Sequence, residues 1–318
     1  MAIYKPSKTA IKASVKELLD AGLVAFPTET VYGLGCDATS ENAISKIYEV
    51  KKRPTFNPLI IHIANLTQAL QIGCFDKNSL KLGKSFWPGP LTIIVPIKKK
   101  AKLSRLATAG LDTVALRVPD NPIAKQLIEL SNKPLAAPSA NPSGRLSPTT
   151  AAHVHKNLGN LVSTILDGGQ TNLGIESTIV TCIDKKCYLV RTGALTNEKI
   201  EKVVGLKLLT LNNNIKPIGP GNLKHHYSPS LPIRINAKEV FSHEALLAFG
   251  DNVPLGASIT LNLSKKSNLR EAASNFFSML HRLDSSNVES IAVSPVPHVG
   301  LGIAINDRLY RASANFVE

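Results

Sequence analysis

The sequence predicts an α/β protein built around a large mixed sheet, followed by a smaller α/β unit at the C-terminal end. Three observations carry this. Short apolar, β-branched runs alternate with segments of helical period through residues 1–205, a stretch over 206–230 has no sustained period, and the positive charge stops where that stretch ends. The 318 residues include 37 Lys+Arg and 23 Asp+Glu, a net charge of +14. Because residues 231–318 hold 8 basic and 8 acidic side chains, the whole surplus belongs to residues 1–230, and whatever attracts anions is expected there. With 43% hydrophobic and 19% charged residues the chain can build a core, which excludes a disordered basic tail. Its length suits two domains of roughly 100–200 residues each.

Taken in order, the start MAIYKPSKTAIKASVKELL has helical spacing and charges where a signal peptide would be apolar. No apolar run approaches the roughly 20 residues of a membrane helix, so a soluble, cytoplasmic protein is expected. LVAFPTE, LIIHIA, LTIIVPI, TVALRVP, LAAPSA, VSTILDG, STIVTCI and CYLVRTG are strand candidates. Between them, SENAISKIYEVKK, KNSLKLGKSFW, NPIAKQLIELS, SPTTAAHVHKNLG and TNEKIEKVVG carry the caps and periods of helices. The segment 206–230, rich in Asn, Pro and Gly, reads as a linker, although it ends in His225, His226 and Tyr227, side chains that a spacer does not need. After it, ALLAFG, ASITLNL and SIAVSPV read as strands. A helix with Leu269, Ala272, Ala273, Phe276, Phe277, Leu280 and Leu283 on one face, and another after Gly300, complete a βαβ-like accessory domain over 231–318.

Cys36, Cys74, Cys182 and Cys187 form no C-x-x-C pair and are expected as reduced, mostly buried thiols. His153 and His155, two apart, would face different ways on a helix and make poor joint metal ligands. There is no Walker loop and no G-x-S-x-G elbow. Gly33 to Ala38 fits G-x-G-x-x-A, but the polar PTET upstream and a basic run in place of the partner acid favour glycines serving a tight turn.

Lys51, Lys52 and Arg53 follow a helix stopped by Pro54. They are either a solvated helix end, where cations suit the dipole, or a phosphate site in which Arg53 forks onto oxygens. Pro138 to Gly144, PSANPSG, is a stiff loop offering small donors, or a plain turn. Gly174 to Thr178 opens a strand and Arg191 closes the next one. Arg117, inside TVALRVP, is expensive unless paired, so it meets either a buried carboxylate of the protein or one from a ligand. His62 in LIIHIA poses the same choice, with a hydrogen-bonded core histidine as the alternative.

In this order, FPTETVYGLG, KKRPTFNPL, FWPGPLT, ALRVP, PSANPSG and GIESTIV resemble the YrdC-like family, specifically its threonylcarbamoyl-AMP synthases. The K-x-R and S-x-N elements stand as Lys51/Arg53 and Ser139/Asn141, and PGNLKHHYSP followed by 231–318 is similar to the long form with a Sua-type C-terminal domain. The resemblance implies a YrdC-like open twisted mixed sheet with flanking helices over 1–205, a linker or lid over 206–230 and a smaller Rossmann-like α/β domain over 231–318. It implies a nucleotidyltransferase that converts L-threonine, bicarbonate and ATP to threonylcarbamoyl-AMP and pyrophosphate, for transfer to tRNA by a partner threonylcarbamoyl transferase complex. Threonine is then expected at Thr30, His62, Arg117, Ser177 and the backbone near Ala137. ATP is expected at Arg53, Asn57, Thr113, Ser139, Asn141, Ser147 and Arg191, with Lys51 beside the phosphates and Tyr227, or its neighbour His226, reaching back from the linker. Mg2+ is expected to be held mainly by the triphosphate, since no cluster of acids marks a protein cage.

The competing reading is an RNA-binding protein without catalysis, since +14 attracts RNA and weak tRNA binding would suit it. Scattered cations, 5% aromatics and the absence of an RNA module speak against it. A carbamoyltransferase maturation domain of the same fold would bring acylphosphatase and zinc-finger segments, whose spaced cysteines are missing.

Overall fold

The computed structural model describes residues 2–211 and 226–314. It opens with strand β1 (Ala2–Tyr4) and helix α1 (Lys8–Leu19), then β2 (Val24–Phe26), β3 (Gly33–Asp37), α2 (Glu41–Lys51), β4 (Ile60–His62), α3 (Leu66–Ile72) and α4 (Lys77–Phe86). Next come β5 (Leu91–Pro96), β6 (Thr113–Arg117), α5 (Pro122–Ser131), β7 (Leu135–Ala136), α6 (Ala151–Leu158), β8 (Thr164–Leu166), β9 (Thr178–Ile183), β10 (Lys186–Arg191), α7 (Asn197–Val204) and β11 (Leu209–Thr210). The second unit holds β12 (Ile233–Arg234), β13 (Glu244–Ala248), β14 (Ile259–Asn262), α8 (Leu269–Leu283), β15 (Ser290–Val293) and α9 (Leu301–Ser313).

The first eleven strands form one sheet in the order β1-β8-β2-β3-β7-β4-β6-β5-β9-β10-β11. Its pairing is mixed: β4 runs parallel to β6 and β5 to β9, while β2 and β3, β5 and β6, and β9 and β10 are antiparallel. Strand periodicity sorts side chains onto the two faces. Val24, Phe26 and Leu135 pack under α1 and α5, whereas Ala25 and Ala136 face the opposite layer, with α2, α3, α4, α6 and α7. Those helices are 7 to 11 residues long, too short to persist alone, so their apolar stripes hold them. In α2, Ile44 and Ile47 are fully buried, each contributing about 1.5–3 kcal/mol. Side-chain caps fix where the helices start: Ser7, Ser40, Asp76, Asn121 and Thr150 each accept a backbone N–H of the first turn.

The second sheet, β12-β15-β13-β14, is parallel throughout. Its α8 and α9 do double duty. Phe276, Phe277, Ala304 and Ile305 share one apolar cluster with Val31, Leu146 and Ile175 of the first unit, so the two units meet through a continuous core. Gly174 lies at the closest approach: φ is +71°, and a Cβ there would overlap the carbonyl oxygens of Ala273 and Ser274 on α8.

Three expectations are corrected here. The opening residues, read as helical, begin with a strand that pairs with β8. The glycines of the G-x-G-x-x-A stretch lie in β3 rather than in a turn, because the Phe26 ring across the sheet occupies the space a side chain at Gly35 would need. The cysteines are not all reduced thiols: Cys182 and Cys187 face each other in register on β9 and β10 and form a disulfide. Asp184 and Lys185, at φ 50° and 64°, close that hairpin as a tight turn, which brings the two Cα atoms to 4.2 Å. Cys36 is buried and free, and Cys74 is exposed. His225 and the preceding Pro-Gly of the linker lie outside the described residues. No described helix is long and apolar enough to cross a membrane.

Candidate active site

Where β2, β4, β6 and β7 end and β9 begins, the connecting loops enclose a cavity lined by Thr28, Thr30, Arg53, Asn57, His62 and Arg117 on one side. Ala137, Ser139, Glu176, Ser177, Arg191, His226 and Tyr227 complete it. Ten of the residues singled out from the sequence therefore converge, although they are spread from Thr30 to Tyr227.

At one end, Arg117 Nη2 donates to Glu29 Oε1 at 2.7 Å, and Nε donates to the Gly89 carbonyl at 3.3 Å. The second Glu29 oxygen accepts from the Asp120 amide at 3.1 Å. The pair is deeply buried, with side-chain exposures of 5% and 9%. The register of β4 on β6 sets His62 beside Arg117. Both ring nitrogens of His62 are buried without a hydrogen-bond partner among the described residues. Burial first, and then the Arg117 charge, hold its pKa well below the ordinary histidine value, so the ring is neutral and has one donor and one acceptor to offer. Thr28 and Thr30 share a 2.8 Å hydroxyl hydrogen bond, and Ser177 Oγ shares one of 2.7 Å with Thr92.

The other end is cationic. Arg53 donates to the carbonyls of Asn57, at 3.0 Å, and Pro58, at 2.8 Å. Arg191 donates to the Ser177 carbonyl at 2.9 Å and its hydroxyl at 3.2 Å. Neither guanidinium has a carboxylate partner among the described residues, a costly arrangement for half-buried charge unless an anion arrives. Burial pushes Arg53 down to about 10 and pulls Arg191 down as well.

Four expected residues lie off the cavity. Lys51 is 1% exposed, and its ammonium donates to the Ser139 carbonyl at 2.5 Å and to the Asn141 carbonyl. It ties the PSANPSG loop to the end of α2 and does not face the cavity, unlike Arg53 two residues on. Asn141 Nδ2 closes the same loop through the carbonyls of Pro142, at 3.0 Å, and Arg145, at 2.8 Å. Ser147 Oγ donates to Glu176 Oε1 at 2.5 Å. Thr113 begins β6 and Arg117 ends it, about 13 Å apart at the usual strand rise.

The linker's far end is wedged beside this site. Tyr227, 3% exposed with φ at +66°, packs on Phe277 and holds the His226 ring 4.0 Å from its own. Both aromatic residues line the cavity. The next residue, Ser228, donates its amide to the Gly144 carbonyl at 2.8 Å, fastening the segment to the PSANPSG loop.

Glu29, Glu176 and Arg308 were not legible as site residues. Glu29 and Glu176 sit in the motifs TET and IES, but nothing in a linear sequence says which acid a buried Arg will meet. Arg308 is fully buried, with Nε and Nη2 each 3.1 Å from Glu176 Oε2 and its guanidinium 5.1 Å from the Tyr227 ring centre.

Comparison with known proteins matches the two units to two family models. One, described as "Telomere recombination", covers residues 16–193, and the other, "Threonylcarbamoyl-AMP synthase, C-terminal domain", covers 195–314. The threonylcarbamoyl-AMP synthase of Bacillus subtilis (strain 168) is 40% identical over 313 residues, 93% of this chain and 90% of that one. That of Pyrococcus abyssi is 39% identical over 320 residues, 95% of this chain and 94% of that one. The crystal structure of P. abyssi Sua5 complexed with L-threonine superposes with a TM-score of 0.87 at 36% identity, covering 96% of this chain and 94% of its own.

Proposed function

Since the chain belongs to the threonylcarbamoyl-AMP synthase family, we propose that it makes L-threonylcarbamoyladenylate in this cavity, from L-threonine, bicarbonate and ATP. One observation supports this reading above the others. One cavity is lined by an Arg-Glu pair beside a neutral His62 whose nitrogens have no partner among the described residues, and by two guanidiniums that lack acidic partners among those residues. An amino acid needs the first arrangement and a triphosphate the second.

In this reading the Arg117 guanidinium takes the threonine carboxylate through its remaining N–H groups, with Glu29 holding it in place. His62, Thr30, Ser177 and the Ala137 backbone fix the rest of the amino acid. The threonine amine forms a bond to the bicarbonate carbon while a C–O bond of bicarbonate breaks, releasing water and giving N-carboxy-threonine. A carbamate oxygen of this species forms a bond to the α-phosphorus of ATP while the bond from that phosphorus to the bridging oxygen of pyrophosphate breaks. The nucleophile comes from substrate, so the protein contributes positioning and charge neutralisation. Arg53 and Arg191, with Asn57 and Ser139, would meet the phosphates, and magnesium would enter as part of the ATP substrate, bringing further neutralising charge. Lys51 and Asn141 act by shaping the loop that carries Ser139, and Ser147 by orienting Glu176. Thr113 is left with no part at the cavity. His226 and Tyr227 close the site against water, and the product passes to a partner that transfers it to tRNA.

The test is to supply ATP, magnesium, bicarbonate and single amino acids and to follow pyrophosphate. Release that requires both L-threonine and bicarbonate is expected. Equal release without threonine would contradict the reading, and tight RNA binding with no release would favour binding without catalysis.

A further inference from the structure

Arg308 is the most deeply buried cation outside the reacting groups, and it comes from the unit that contributes no net charge. Its place in α9 is held on three sides. Nη1 donates to Asp307 Oδ2 at 2.8 Å and to Thr192 Oγ1 at 3.2 Å, while Nε and Nη2 both reach Glu176 Oε2. Its flat face lies over Tyr227. Both Glu176 oxygens are thereby engaged, since the other accepts from Ser147. Arg191 lies close enough to Glu176 for the two charges to act on each other, yet among the described residues it makes no ion pair and donates to Ser177.

A buried carboxylate takes the nearest guanidinium available to it, because leaving it unpaired costs several kcal/mol. Two arginines compete for Glu176, and the one from the C-terminal unit holds it. Burial works against the Glu176 charge, while Arg308, and after it Arg191, keep the carboxyl below its ordinary value.

We propose that Arg308 is a positioning residue for the nucleotide: by occupying Glu176 it keeps Arg191 free of an acidic partner and directed at the anionic substrate. The C-terminal unit then acts on the chemistry through one side chain that touches no substrate. This rests on the reading that the cationic end of the cavity takes ATP.

The experiment measures binding of ATP and of L-threonine by calorimetry on the full chain and three variants. Arg308→Met keeps an apolar stem and releases Glu176, which then turns to Arg191. ATP affinity is expected to fall about tenfold or more, with threonine affinity changed less than twofold, as suits the loss of one desolvated charge contact. Arg308→Met combined with Glu176→Gln removes the competing carboxylate, and ATP affinity is expected to return to within threefold of the parent. Arg308→Lys keeps one charge on Glu176 and should lie between parent and Arg308→Met. Equal losses for ATP and threonine, or a double variant no better than Arg308→Met, would overturn the proposal. Should Arg308→Met not fold, the double variant decides alone, because it leaves no buried charge without its partner on Glu176: an ATP affinity tenfold or more below the parent would then refute the proposal. A parent chain that binds no ATP refutes it too, whereas ATP binding without threonine-dependent pyrophosphate release counts against the catalytic reading only.

Discussion

Arg117 illustrates how much a single residue discloses by its place in the chain. A guanidinium among β-branched neighbours has to be paired, and the sequence leaves open whether the partner is the protein's or a ligand's. The fold answers with the protein's own: Glu29 takes one Nη and the Gly89 carbonyl takes Nε, while the side chain lines the cavity. Replacing Arg117 by Gln is expected to lower L-threonine affinity by roughly 30-fold or more while ATP affinity changes less than threefold, measured by calorimetry. Loss of both together would reduce the pair to a structural bolt. Lys51 teaches the opposite lesson. The K-x-R spacing is visible in the sequence, but whether a lysine points at a ligand or at carbonyls of its own chain depends on the path of a loop 88 residues away. His62 was legible as a choice, and the fold leaves it buried with no described group paired to either nitrogen.

At the scale of elements, the strands that were legible are those with runs of β-branched residues, β5, β6 and β9 among them. The strands that were missed are short or rich in glycine: β1 has three residues, β11 and β12 two each, and β3 owes its glycines to a neighbour's ring. Hydrophobic period cannot register over two residues. The Cys182–Cys187 pair was missed for a related reason, because only the tight turn at Asp184 and Lys185 sets the two opposite each other. Gly174 is the element-level joint between the units. Gly174→Ala forces a side chain into the α8 backbone at a left-handed φ and is expected to cost about 2–4 kcal/mol of stability by chemical denaturation. An unchanged midpoint would mean that α8 can shift away from this loop.

Across the whole molecule, the charge surplus and the chemistry occupy the same residues, 1–230, while the neutral C-terminal unit braces them. The brace is visible where His281 of α8 stacks on His153 of α6, rings 4.0 Å apart, and reaches the Ser147 carbonyl at 3.1 Å. Burial, then the neighbouring His281 and Lys156, push His153 down to about 3, and burial pushes His281 down to about 4. The sign follows from linkage. An unfolded chain takes up protons at these positions below about pH 6.5, whereas the folded stack does not until far lower pH. Stability is therefore complete above pH 6.5 and declines as the pH falls towards 4. The melting temperature is expected to drop between pH 7 and pH 5, and to drop less in a His153→Gln, His281→Gln variant. A pH profile identical in the two proteins would remove the stack from the account.

In the proposed function one cavity brings threonine, captured bicarbonate and ATP into line. Transfer of carbon-labelled bicarbonate into an adenylate-containing product measures this. Label is expected in threonylcarbamoyl-AMP only when L-threonine and ATP are both present, and is expected to be lost in the Arg117→Gln chain. Label that enters the adenylate without threonine, or that persists undiminished without Arg117, would contradict it.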